Sequence, residues 1–173
     1  MPTSTFLKVA ILTLSIFSCV SQQTFGQEGP PEIEPGESIE DFFWRRYSWY
    51  EDRYEAVKAK RVSLEGKLRL AEMSLHPGLT FDETREFQAR IASGYQILAA
   101  GDIEFSEADA LWCSLTILIT GEETELEFVE LLGILDQLSE DLLNSLDDAE
   151  RRYEFGCRNV TKILEDLGAL LFF

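Results

Sequence analysis

The stretch that decides the fold is "FFWRRYSWYEDRYEAVKAKRVSLEGKLRLAEMSL", residues 42–75, in which apolar side chains recur at steps of three and four residues. They are Phe43, Tyr47, Tyr50, Tyr54, Val57, Leu64, Leu68, Ala71 and Leu75, interrupted once by Arg61. This spacing aligns the side chains along one side of an α-helix. At 1.5 Å per residue, a helix over 38–75 is about 57 Å long. The stretch therefore predicts a bundle or coiled-coil helix.

A second long helix is predicted over 124–155, where the same rhythm returns. Its apolar seam consists of Phe128, Leu131, Leu135, Leu138, Leu142, Ser145, Ala149 and Tyr153. The 91–150 region contains fifteen acidic and no basic residues, whereas 38–75 contains eight Lys or Arg and seven acids. Packing the two long helices together would set basic flanks against acidic ones and select an orientation. We expect these two helices to be antiparallel.

Capping and glycine signals divide the rest of the chain. Hydroxyl residues followed three positions later by an acid mark helix starts; the pairs are Ser38 with Asp41, Thr80 with Glu83, Ser106 with Asp109, and Thr124 with Glu127. Helix ends are predicted at His76-Pro77-Gly78, Gly101, Gly121 and Gly156. The result is an all-α bundle of about five helices. Their ranges are 38–75, 80–100, 106–119, 124–155 and 158–171.

The third predicted helix differs from the two long ones. Its segment "ALWCSLTILI", residues 110–119, is apolar at eight of ten positions. A helix that is apolar on all sides is usually buried. We therefore expect this helix to be enclosed.

The N-terminal region predicts export. Residues 1–26 combine Lys8 with a short apolar run at 9–20, which is typical of a signal peptide and shorter than the roughly 20 residues that span a bilayer. Residues 27–37 predict a flexible acidic Pro/Gly linker, and 38–173 the helical domain. The expected location is secreted or periplasmic, with no transmembrane segment after signal removal. As an alternative, "IFSC" resembles the lipobox of bacterial lipoproteins, which would lipidate Cys19 and anchor the chain to a membrane.

Two cysteines follow the predicted signal peptide. Cys113 and Cys157 form an even pair in an exported chain, which predicts a disulfide, with two separate buried thiols as the alternative. Together with the single histidine, His76, they fall short of the usual four metal ligands, so we expect no metal or cofactor. In a eukaryotic source, the sequon at Asn159 would be a glycosylation site.

Catalytic motifs are missing from the sequence. His76 precedes Pro77 at a predicted helix end, where an imidazole can cap carbonyls, and no phosphate loop or dinucleotide motif accompanies it. The segment "GDIEFSEAD", residues 101–109, resembles the second half of an EF-hand loop. The preceding positions Gln96, Leu98 and Ala100 lack the required carboxylates. We expect neither an enzyme nor an EF-hand.

Charge narrows the possible partners. The formal net charge is −17, and residues 27–173 have 14 basic and 32 acidic residues, a balance of −18. Because this charge repels nucleic acid, we expect no nucleic-acid partner. The sequence predicts an exported acidic protein with a structural or protein-interaction role and no catalytic centre, acting through a protein partner or self-association. An acidic cation-binding protein is an alternative.

The aromatic segment "DFFWRRYSWYEDRY", residues 41–54, suggests a second alternative, a ligand-binding module. Four of its seven aromatic residues belong to the helix seam, and the others flank that seam. Arg45 and Arg46 are within stacking reach of Trp49. The candidate interaction residues are Phe42, Trp44, Arg45, Arg46 and Trp49.

Overall fold

The structure, a computed structural model, describes residues 30–32, 34–120 and 128–170. It has three α-helices, α1 (Ile39–Met73), α2 (Phe81–Thr120) and α3 (Phe128–Leu170), and no strand in these ranges. The predicted all-α class is confirmed, and the predicted number of helices is wrong. None of the described helices has both the length and the apolarity needed to cross a membrane.

Two glycines predicted as helix ends lie inside continuous helices. A Cβ atom on Gly101 would lie under 3.0 Å from the ring of Tyr153, and one on Gly156 would lie 2.6 Å from Leu64 Cδ2. Both glycines are buried and let a large side chain of another helix approach the backbone. Gly101 therefore does not separate two helices, and Gly156 does not end α3. The predicted helix start at Ser106 is also wrong, because Ser106 lies within α2.

The first two predicted caps are confirmed. The Asp41 N–H donates to Ser38 Oγ at 3.1 Å. At the start of α2, the Glu83 N–H donates to Thr80 Oγ1 at 3.3 Å, and the Thr80 N–H donates to Glu83 Oε2 at 2.8 Å. This reciprocal pair satisfies two backbone donors that the helix start leaves free. The predicted stop at 121 and cap at 124–127 lie outside the described residues, as do 1–26.

All three helices carry buried or half-buried residues at alternating steps of three and four, the pattern of a three-stranded coiled coil. The seam of α3 is the longest and consists of Leu135, Ser139, Leu142, Leu146, Ala149, Tyr153, Gly156, Val160, Ile163 and Leu167. The predicted seam of α1 is confirmed from Tyr50 to Ala71. On α3 the buried positions include Ser139 and Leu146, whereas the predicted neighbours Leu138 and Ser145 are only half-buried.

The helices run up, down and up. Contacts between α1 and α3 ascend together along both chains, as in Arg46 with Asp136, Arg53 with Asp147, and Lys67 with Thr161. Contacts between α1 and α2 run in opposite order, as in Tyr54 with Asp109 and Arg61 with Asp102. The two long predicted helices are therefore parallel, and the antiparallel prediction is wrong. The reason is α2, which crosses the bundle once as a single helix and returns the chain to its starting end.

Candidate interaction site

Arg45, one of the predicted site residues, holds a turn against α1. Glu34 to Glu37 form this turn, with Gly36 at φ +86° and the Glu37 N–H donating to the Glu34 carbonyl at 3.0 Å. Arg45 donates from Nε and Nη2 to the two carboxylate oxygens of Glu37 at 2.9 and 2.7 Å. These hydrogen bonds hold the pKa of Glu37 below its usual value. The predicted linker thus ends in an ordered turn, and its domain boundaries stay a prediction.

Arg46 connects α1 to α3. Its guanidinium donates to Asp136 Oδ1 and to the Tyr50 hydroxyl, each at 3.0 Å. The same group lies 5.4 Å from the ring centroid of Phe42 and 5.8 Å from that of Tyr50. Phe42 is only 8% exposed. Arg46 therefore stacks on Phe42 and Tyr50 rather than on the predicted Trp49, and both Arg46 and Phe42 serve the bundle.

The two tryptophans of the predicted patch have different environments. Trp49 is half-buried, packs against the core, and meets Tyr50 edge to face at 5.2 Å between centroids. Trp44 is 49% exposed and meets Tyr47 edge to face at 5.8 Å. Of the five predicted residues, only Trp44 presents a large apolar surface to solvent.

Behind Trp44, aromatic rings form a continuous ladder into the bundle. Tyr47 stacks on Trp112 at 5.0 Å, Trp112 on Tyr54 at 5.6 Å, and Tyr54 on Phe105 at 5.2 Å. Sequence reasoning missed Trp112 and Phe105, because their partners lie 51 to 65 residues away along the chain. The seven-residue spacing between Phe105 and Trp112 was the available signal. The ladder fixes α1 to α2 through offset stacking.

Two tyrosines that adjoin Phe105, Tyr54 and Tyr153, donate hydrogen bonds to acids on α2. Tyr54 donates to Asp109 Oδ1, and Tyr153 donates to Asp102 Oδ1 at 2.9 Å. Arg61, the interruption of the predicted α1 seam, donates to both oxygens of Asp102 at 2.8 and 2.9 Å. Burial and these acids raise the pKa of both tyrosines well above the usual value. Their hydroxyls therefore stay neutral donors in a structural network.

Basic side chains spaced by seven residues run along the side of α1 that meets α3. Arg46, Arg53, Lys60 and Lys67 donate to α3 residues Asp136, Asp147, Glu150, Glu154 and Thr161. Burial opposes ionisation of Glu150, yet hydrogen bonds from Arg53 and Lys60 outweigh it and lower the Glu150 pKa. The predicted meeting of basic and acidic flanks is confirmed.

The solvent-exposed side of α2 is a second candidate surface. Its exposed residues from 89 to 117 form what we call the α2 outer face: Ala89, Ala92, Ser93, Gln96, Ala99, Ile103, Ser106, Glu107, Asp109, Ala110, Cys113, Ser114 and Ile117. Only Glu107 and Asp109 are charged, and Asp109 accepts from Tyr54. Ile103 is 73% exposed and Ile117 is 70% exposed. The expectation that 110–119 is enclosed is therefore wrong for the single chain.

An open cleft of about 390 Å³ adjoins this face, between α2 and α3. It is lined by Ser93, Gln96, Ile97, Ala100, Arg151, Arg152 and Phe155. Arg152 donates to Glu104 at 2.9 Å, and Arg151 pairs with Asp148. Phe155 is 51% exposed. The cleft therefore extends the apolar surface from α2 towards α3.

The predicted disulfide is wrong. Cys113 is an exposed free thiol on α2, and Cys157 is a half-buried free thiol on α3. Because Asp102 meets Tyr153 in an antiparallel pair, Cys157 lies beside residue 98 of α2, about 15 residues or 22 Å from Cys113. Bridged cysteines have Cα atoms within about 7 Å. Burial raises the pKa of the Cys157 thiol.

The remaining candidates have structural positions. His76 Nδ1 accepts from the Gly78 N–H at 3.0 Å, which stabilises the turn between α1 and α2 instead of capping carbonyls. Asn159 is exposed in the middle of α3, not at a helix start, and its glycosylation stays a prediction. The segment 101–109 is helical, which excludes an EF-hand loop there. Within the described ranges, no three His, Cys, Asp or Glu side chains are grouped to hold a metal ion.

Comparison of the chain with protein-family models, with curated proteins and with solved structures finds no match.

Proposed function

We propose that this chain is an exported, non-catalytic protein-interaction module whose three-helix bundle presents the α2 outer face to a partner. The observation that carries the proposal is the composition of that face. From 89 to 117, a length of about 42 Å, it exposes two large isoleucines and only two charged side chains.

Solvent-facing sides of bundle helices are normally polar, because exposed apolar area is unfavourable in water. The most hydrophobic of the three helices is α2. Its exposed isoleucines are 14 residues apart, about four helical turns, and four of the six exposed residues between them are Ser, Ala or Cys. Extended apolar faces of this kind mark interaction surfaces. An apolar helix laid along α2 would remove both isoleucines from water.

The remainder of the bundle keeps this face in place before a partner arrives. The aromatic ladder fixes α2 to α1, and the Arg61–Asp102–Tyr153 network joins all three helices. A preformed surface loses little conformational entropy on binding. The partner therefore meets a helix face that is already formed.

Binding of an aromatic or carbohydrate ligand at Trp44 is a second candidate function. It is favoured by the 49% exposure of Trp44. The neighbouring arginines give this function little support, because Arg45 already donates to Glu37 and Arg46 to Asp136. Cation binding stays an alternative in diffuse form, since Glu150 on α3 already pairs with Arg53 and Lys60.

The test compares a charged variant of the α2 outer face with a matched variant of α3. Ile103→Glu with Ile117→Glu adds two charges to α2, and Gln137→Glu with Asn144→Glu adds two to exposed positions on α3. Each form is produced in the source cells and its native mass is measured after mild crosslinking. The wild type and the α3 variant should run as a complex and the α2 variant at the mass of the single chain. Equal masses for all three forms would contradict the proposal.

A further inference from the structure

The outermost row of α2 residues has the seven-residue spacing on which two antiparallel helices can pair. Directly opposite the buried seam lie residues spaced by seven: Ala89, Gln96, Ile103, Ala110 and Ile117. Ile103 is the centre of this row, and residues equally distant from it can meet their counterparts in an antiparallel copy. From this pattern we infer that a second copy of this chain binds along the α2 outer face, antiparallel, with the two-fold axis at Ile103. This inference rests on the proposed function and names its partner.

Side-chain sizes complement each other in this arrangement. Ile117 of one copy lies opposite Ala89 of the other, Gln96 lies opposite Ala110, and the two Ile103 side chains meet on the axis. A two-fold interface requires this kind of self-complementary surface. Ala92 and Ala99 beside the row are small, which lets the two helix axes come close, and interhelical distance depends on such contact residues.

Charge is the main force against self-association, since each copy has a formal net charge of −17. The α2 outer face lacks most of that charge. The acids beside it are already neutralised, because Asp102 pairs with Arg61 and Glu104 pairs with Arg152. The two Glu107 side chains lie four residues on either side of the axis, about 12 Å apart, which exceeds the Debye length of about 8 Å at physiological salt. This is the side on which two copies repel each other least.

The buried area predicts a reversible dimer. Residues 86–120 of both copies overlap, a length of about 52 Å; with a helix diameter of about 10 Å, each copy covers about 500 Å². The total of about 1,000 Å² is at the lower limit for a specific interface. The adjoining cleft with Phe155 adds apolar contact beside Gln96. The dimer should therefore dissociate on dilution.

Sedimentation equilibrium of the chain without residues 1–26, from about 1 to 200 µM, tests the inference. The mass should rise from one chain to two with concentration, and the association should strengthen with added salt, which screens the net charge. Ile103→Glu should weaken it at least about tenfold, because each dimer contains the substitution twice. Gln137→Glu adds the same charge on α3 and should leave it unchanged. Circular dichroism confirms that both variants are folded.

Crosslinking tests the position of the axis. With Cys113 and Cys157 replaced by Ser, Ile103→Cys should form a disulfide-linked dimer in air, whereas Gln137→Cys should not. A dimer that Ile103→Glu leaves intact, or one that Ile103→Cys cannot link, overturns the inference.

If the chain is a monomer at every concentration, the inference that its partner is a second copy is overturned. The proposed function then stands if the source-cell complex persists and depends on Ile103 and Ile117. It fails separately if that complex is absent.

Discussion

The exposed sides of α2 and α3 differ in the fraction of their residues that is charged. On α3, the exposed residues from 136 to 165 are Asp136, Gln137, Glu140, Asp141, Asn144, Asp147, Asp148, Arg151, Arg152, Glu154, Phe155, Arg158, Asn159, Lys162 and Glu165, eleven of fifteen charged. On the α2 outer face, two of thirteen are charged. Both helices turn a heptad seam towards the core, so the core does not require this difference. This difference is the basis of the proposal that the α2 outer face binds a partner, whereas the exposed side of α3 has the charge usual for a solvent-facing helix.

The comparison requires that α2 be one unbroken helix, with Gly101 packed against α3 in its middle. Substitution of Gly101 tests this packing and has the largest expected effect on stability. Gly101→Ala places a methyl group against the rigid ring of Tyr153 and should destabilise the fold by about 2 kcal/mol. Gly133→Ala on α3 is the matched control, because nothing lies within 4 Å of its Cβ position. That change should stabilise by up to about 1 kcal/mol through helix propensity. Urea unfolding followed by circular dichroism measures both, and equal stabilisation by the two substitutions would show that Gly101 is not a packing contact.

Two acids of α3, the ion-paired Glu150 and the exposed Glu140, should differ in their effect on stability. The expected effect of Glu150 is smaller than that of Gly101 and depends on pH. Glu150→Gln should destabilise by about 1 to 2 kcal/mol at pH 7, because Arg53 and Lys60 lose their shared carboxylate. The folded-state pKa of Glu150 lies below its usual value of 4.5, so its stabilisation is present above that pH and is lost as the pH falls through the folded pKa. Unfolding curves of wild type and variant should therefore converge in acid.

Glu140→Gln is the control for that experiment, since Glu140 is exposed on α3. It should change stability by less than about 0.5 kcal/mol at any pH. A Glu150 effect that persists unchanged at low pH would contradict the assigned ion pairs.

The smallest expected effect concerns Trp44, which lies on α1 outside both compared faces. Among the three tryptophans, Trp44 is the most exposed, whereas Trp49 and Trp112 are half-buried. Trp44→Phe should remove the fluorescence component that acrylamide quenches most strongly and leave the melting temperature nearly unchanged. Quenching equal to that of the wild type would show that Trp44 is shielded.

Much of the fold follows from the sequence, because heptad spacing and capping pairs act over a few residues. The seam from Tyr50 to Ala71 and the caps at Ser38 and Thr80 were predicted in this way. The glycines were misread, since a glycine that ends a helix and one that admits Tyr153 look alike in sequence. Because of that error, the prediction divided α2 into two helices. The extra helix reversed the predicted direction of the second long helix relative to the first.

The candidate site was harder to predict for a related reason. Arg45 and Arg46 read as free charges beside tryptophans until their partners Glu37 and Asp136 were known. The apolarity of 110–119 predicts burial within the chain. The structure leaves one side of that segment exposed, and the second-copy inference would enclose it in a dimer instead.

Hydroxyl-radical footprinting of the two outer faces at low and high protein concentration tests the central claim most directly. Oxidation of Ile103, Cys113 and Ile117 should fall as the concentration rises, whereas Phe155 at the cleft should be protected in part and Lys162 on α3 should be unchanged. Oxidation of Ile103 and Ile117 that is independent of concentration, or protection confined to α3, would contradict the claim that α2 faces a second copy of the chain.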